Sequence, residues 1–173
     1  MKFQVSDKES HSAKLPHEIF LTNMIANHVL WFIASLGLAR TYWQPLALVP
    51  VVSIILLVYI LWRARRSRTQ DSWFVMCHWQ ICADRSRMFI AMLTIALGVT
   101  ALGWLAHSQF KLMKEAVYAL IGGLGILPIM VTVLVLILME SDALHQAAQH
   151  KLPDRIALKY PNPGVPVVEE LEN

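Results

Sequence analysis

Four apolar stretches of this chain, residues 19–39, 46–62, 88–106 and 116–139, contain no aspartate, glutamate, lysine or arginine. Proton- and sodium-coupled carriers ordinarily rely on a carboxylate buried in the membrane, so a self-sufficient secondary transporter is not expected. Cysteine is nearly missing as well. Cys77 and Cys82 are the only two, too few for a disulfide framework, and both fall in a segment assigned below to the cytoplasm, where thiols stay reduced. Charge is scarce: 16% of the residues are charged and 56% hydrophobic, whereas a soluble domain averages about 25% charged. The first eighteen residues carry Lys2, Asp7, Lys8, Glu9, Lys14 and Glu18, unlike the short basic start and apolar run of a signal peptide. No nucleophile motif, phosphate-binding glycine loop or metalloprotease helix occurs. Gly122, Gly123 and Gly125 lie inside an apolar stretch and follow no strand, so they are no dinucleotide fingerprint. Neither catalytic residues nor a cofactor are expected, and the chain reads as a non-enzyme.

What is present is length and apolarity of the right size. A bilayer core about 30 Å thick needs roughly 20 apolar residues in a helix, and each stretch meets that with tilt and interfacial tryptophan at its margins. The short links 40–45 and 107–115 make each pair of spans an antiparallel hairpin. Trp31, Tyr42, Trp43, Trp62, Trp104 and Tyr118 lie at or towards span ends, the level that amphipathic rings prefer. The predicted fold is all-α: a polytopic bundle of four transmembrane helices in two antiparallel hairpins.

Orientation follows from the basic residues. Of the fifteen Lys and Arg, twelve fall in the N-terminal tail, the link 63–87 and the C-terminal tail, which share one side of a four-span chain. Arg40, Lys111 and Lys114 fall on the other. The positive-inside rule then puts both termini in the cytoplasm. The organisation expected is a tail over 1–18, a membrane domain over 19–139, and a C-terminal helix with a proline-rich tail over 140–173. The net charge of +3 borders the apolar stretches, as it does for contact with anionic lipid headgroups, and does not point to nucleic acid. Arg63, Arg65, Arg66 and Arg68 are the residues placed for that contact. A bacterial inner membrane is the expected location.

The polar residues inside the spans are few. Asn23 and Asn27 stack on one helix face, with His28 one position round and Ser35 further along. Such groups need partners in hydrocarbon, either another helix or a ligand or proton. Haem is not expected, because His107 lies at a span end and His28 mid-span, and two axial imidazoles must share one depth. In the fourth span, Pro128 removes a hydrogen bond and predicts a kink. Gly122, Gly123 and Gly125 beside it permit close helix packing.

Between the second and third spans, Ser72–Ala83 is too short to cross and too apolar to be freely solvated. An interfacial helix fits it, with its apolar surface in lipid or against a partner. Cys77, His78 and Cys82 within it are weak metal candidates. Cys77 and Cys82 point about 140° apart on a helix, and no Cys-x-x-Cys occurs. The reading from sequence is a small accessory or scaffolding subunit of a larger membrane complex, bound to lipid and to other subunits or to itself. A homo-oligomeric channel or transporter component with a polar path at Asn23 and Asn27 is the alternative, and a redox or metal-binding membrane protein the third.

Overall fold

The structure is a computed structural model and describes residues 1–39, 41–111 and 113–168, without the side chain of Phe110. Arg40, counted above among the outer basic residues, and the acidic end 169–173 lie outside the described residues. The chain is all-α apart from one two-stranded pairing. Four helical stretches are long and apolar enough to cross a membrane: Asp7–Leu38, Gln44–Gln70, Trp73–Gln109 and Lys114–Ala148. Their most apolar windows have mean hydropathies of 1.5, 2.5, 2.1 and 2.7. The residues fall into two compact units, Met1–Ser86 with Ile137–Asn173, and Arg87–Leu136.

In the larger unit, strand β1 (Lys2–Phe3) precedes helix α1 (Asp7–Thr22). Ser6 starts that helix with a reciprocal cap. Its hydroxyl accepts from the Glu9 amide at 3.3 Å, while the Glu9 carboxylate accepts from the Ser6 amide at 3.1 Å, so two otherwise orphaned donors are satisfied. A π-helical stretch, π1 (Asn23–Trp31), joins α1 to helix α2 (Phe32–Leu38). Helix α3 (Gln44–Gln70) returns beside it, opening with Pro45, whose missing amide costs nothing in a first turn. The helix runs on through Arg63, Arg65, Arg66 and Arg68 before Asp71 turns extended and ends it. The basic residues therefore extend the second span as helix.

Helix α4 (Trp73–Phe110) starts two residues after Asp71, and helix α6 (Leu127–Ala148) supplies its last turns to the same unit. Its core gathers Phe3, Ala13, Ala64, Phe74, Val75, Cys77, Trp79, Ile81, Ala83, Ala143, Ala147 and Leu152. The first turns of α4 thus differ from a free interfacial helix. Their apolar surface is covered by the chain's own two tails, because Phe3 and Leu152 are large enough to seal it and Ala13, Ala143 and Ala147 small enough to let helices close in. Burying one such large side chain contributes roughly 1.5–3 kcal/mol.

The tails are also joined through their main chains. Strand β1 pairs antiparallel with β2 (Val167–Val168), Lys2 opposite Val168 and Phe3 opposite Val167. Leu152 donates to Met1 at 3.0 Å, Phe3 to His150 at 2.9 Å, and Gln4 to Pro166 at 2.9 Å. The Phe3 ring meets Trp73 edge-on at 5.1 Å, and Trp73 Nε1 donates to the Tyr160 carbonyl at 2.9 Å. A short helix, Asp154–Lys159, lies between these contacts.

The smaller unit, Arg87–Leu136, holds the second half of α4, helix α5 (Lys114–Leu120), a second π-helical stretch, π2 (Ile121–Ile126), and the start of α6. A Cβ added at Gly103 would meet Ile121 at 3.2 Å and Val117 at 3.4 Å, and one at Gly125 would reach Val99 at 3.8 Å. These two glycines therefore set how closely the helices of this unit pack. The π turn ends just before Pro128, where the Leu127 amide reaches back five residues to Gly122. A widened turn is one way a helix accommodates the amide that proline lacks.

Candidate functional site

The polar residues of the first span turn inward on α3. Asn27 Nδ2 donates to the Val49 carbonyl at 2.9 Å and to Asn23 Oδ1 at 3.1 Å. Asn23 Nδ2 donates to Ser53 Oγ at 3.3 Å, and Ser53 Oγ lies 2.8 Å from His28 Nε2. The π-helical stretch explains how three residues reach one spot. A turn bonded i to i+5 is wider than an α-turn, so Asn23 and His28, five apart, both face Ser53. Ser35 is buried on α2. Asn23, Asn27, His28 and Ser53 form a polar seam between π1 and α3.

A second cluster lies outside the four apolar stretches and is fully enclosed. His17 on α1, His78 on α4 and Glu140 on α6 are each 0% exposed. His17 Nδ1 is hydrogen-bonded to Glu140 Oε2, and His17 Nε2 lies 2.9 Å from His78 Nδ1. Arg85 Nη1 lies 3.2 Å from Glu140 Oε1 and donates to the Met139 carbonyl at 2.9 Å. Cys82 donates from its thiol to the Pro16 carbonyl at 3.3 Å. Three helices are thereby fastened at one point by charged and hydrogen-bonded groups.

The chemistry of this cluster is set by its dryness. Burial, with the neighbouring His17 and Arg85 acting in the same direction, pushes the proton affinity of His78 well below the usual imidazole range. Burial also raises both thiols, Cys77 to about 12, and Cys82 well above its ordinary value with the Glu140 charge adding to the effect. Such thiols stay protonated and make poor nucleophiles and poor metal ligands. Among the described residues, no three His, Cys, Asp or Glu side chains are grouped so as to hold a metal ion. Cys77, His78 and Cys82 each go elsewhere: Cys77 into the apolar core, His78 to His17, and Cys82 to Pro16.

Of the four arginines predicted above to meet lipid headgroups, three contact their own chain. Arg63 pairs with Asp71 at 2.7 Å and lies over the Trp79 ring at 5.1 Å. Arg68 donates to Gln80 at 2.9 Å, and Arg66 donates to Gln70 at 2.6 Å and lies over Trp62 at 5.5 Å. Arg65 is exposed. Of the glycines flanking Pro128, Gly125 is buried, and a Cβ there would reach Val99 and Ala96, while one added at Gly122 or Gly123 would meet nothing within 4 Å among the described residues.

Sequence reasoning missed His17, Ser53, Arg85 and Glu140 as site residues. A signal existed for two of them. His17 stands two residues before the first span and Glu140 one residue after the fourth, so both sit at span boundaries expected on the same side of a four-span chain. Compared with protein families, curated proteins and solved structures, the chain matches none.

Proposed function

We propose that the protein is a non-catalytic, multi-pass subunit that helps assemble or hold a larger complex in a bacterial inner membrane, with both termini cytoplasmic. The observation that carries this reading is how the chain divides its contacts. Its buried polar groups are used to fasten its own helices and tails, while only 17–28% of each apolar window is buried within the chain. A Cβ added at Gly37, Gly98, Gly122 or Gly123 would meet no atom of another part of the chain within 4 Å among the described residues. Glycines on open apolar faces let the backbone of another helix approach closely, which is how membrane helices associate. The antiparallel pairing of β1 with β2 supports termini on one side of the membrane. The excess of Lys and Arg in the tails and the 63–87 link supports the cytoplasmic side.

The channel reading draws less support. Asn27 gives its amide hydrogens to Val49 and Asn23, and Asn23 donates to Ser53, which leaves them poorly placed to line a polar path.

Native mass spectrometry of the protein, extracted gently from its own membrane without overexpression, tests the proposal. A reproducible assembly with other polypeptides is expected, and their identities would define the complex. A pure homo-oligomer would overturn the subunit reading in favour of a channel. A monomer would overturn both.

A further inference from the structure

Within the smaller unit, α4 and α5 enclose a recess of about 230 Å³ beside the turn that joins them. Its lining is graded in depth. His107 and Lys114 stand nearest the turn. Trp104, three residues back along α4, and Tyr118, four residues on along α5, lie about one helical turn deeper. Val117, at the level of Tyr118, is buried and gives the recess an apolar floor, which Ile121 continues one turn further. Trp104 and Tyr118 are 68% and 70% exposed, so their rings stand at the rim.

Charge and apolarity are thus separated along the recess as they are along a lipid. The lysine ammonium brings a positive charge and three donors, and an imidazole carries at least one N–H in either protonation state. Among the described residues no carboxylate lines the recess, so its charge complements an anion. Amphipathic rings prefer the headgroup level of a bilayer, which sets His107 and Lys114 at the phosphate layer. A free inorganic anion would leave the apolar floor uncovered, and a hydrocarbon chain alone would leave the donors unused. The volume falls below the roughly 300–1,000 Å³ of pockets that enclose a drug-sized ligand, so it suits a headgroup and not a whole lipid. We propose that this recess binds one anionic phospholipid, with the phosphodiester against Lys114 and His107 and the first acyl carbons over Val117 and Ile121. The site is separate in the chain from Arg63, Arg65, Arg66 and Arg68, and it does not depend on what the membrane helices assemble with.

The test uses the full chain in a neutral detergent, with a phosphatidylglycerol probe that carries a photoactivatable diazirine early in one acyl chain. After illumination, peptide mass spectrometry maps the crosslinks, and labelling within residues 117–121 is expected. Unlabelled phosphatidylglycerol should displace the probe there at lower concentration than phosphatidylcholine, and inorganic phosphate should not displace it. Lys114→Gln should weaken that labelling about fivefold, as the loss of one basic contact with an anionic lipid does. Lys111→Gln, outside the recess, should leave it unchanged. No labelling there, equal displacement by the two lipids, or undiminished labelling in Lys114→Gln would overturn the proposal. Displacement by inorganic phosphate would overturn it in favour of a soluble anion. The competition is run on the unaltered chain, so it decides even if a variant fails to fold.

Discussion

At the scale of single residues, this protein keeps Asp, Glu, Lys and Arg out of the apolar stretches and seals several ionisable groups where those stretches end. His78 has the clearest consequence. Burial holds its proton affinity well below the ordinary 6.5, with His17 and Arg85 adding to the effect. The unfolded chain therefore takes up a proton below pH 6.5 that the folded chain refuses, and stability falls as pH drops from there towards the folded value. The slope reaches at most about 1.4 kcal/mol per pH unit. Thermal unfolding in detergent between about pH 7.5 and about pH 5.5 should show this loss, and His78→Gln should have a shallower slope. An identical slope in the variant would mean that other groups account for it. Asn23, Asn27 and His28 were legible in the sequence as polar residues wanting partners. Ser53, which two of them share, was not, because a lone serine in a span carries no periodic signal and serine commonly bonds to its own helix.

At the scale of elements, the helices outrun the apolar stretches that announced them. α3 continues eight residues beyond Trp62, and α4 begins fifteen residues before Met88. Composition marks where a helix is apolar, whereas backbone hydrogen bonds mark where it ends. The link 63–87 thus becomes helix apart from a break at Asp71 and Ser72. The sequence predicted a kink at Pro128; the structure has a π-helical stretch just before that residue, and a second one, π1, in a segment with neither proline nor glycine. The two classes of glycine now make different predictions. A Cβ added at Gly103 would press on Ile121 and Val117, whereas one added at Gly98 would meet nothing within 4 Å among the described residues. Gly103→Leu should therefore destabilise the smaller unit, by about 1–3 kcal/mol as for overpacking of a core. Gly98→Leu should leave the stability of the purified chain nearly unchanged. Melting temperatures of the two variants in the same detergent give the comparison, and equal losses would show that Gly103 does not limit the packing.

At the scale of the whole molecule, the two ends of the chain are folded together. Met1 donates from its amino group to the Leu152 carbonyl at 3.1 Å and pairs with Asp154. Phe3 lies in the core with Leu152. Among the described residues, removing 150–173 takes away every main-chain partner of β1 and part of the cover over Trp73. The N-terminal residues should then become a cleavage site for protease added to the detergent-solubilised chain, while the full chain resists there. Equal cleavage of both would show that β1 is held by other contacts. Termini are ordinarily the least ordered parts of a domain unless tied down, and here side chains and main chain both tie them.

The sequence by itself determined that this chain is helical and has four stretches able to cross a membrane. It did so because hydrocarbon admits only long runs of apolar residues with internally bonded backbone. It also showed which polar residues would need partners. Only the tertiary structure decided who those partners are. Asn23 and Ser53 are thirty positions apart, His17 and His78 sixty-one, and His17 and Glu140 one hundred and twenty-three. The register in which three helices meet sets those pairings. That register comes from the packing of Phe3, Phe74, Ala143 and their neighbours, which no local pattern in the chain records.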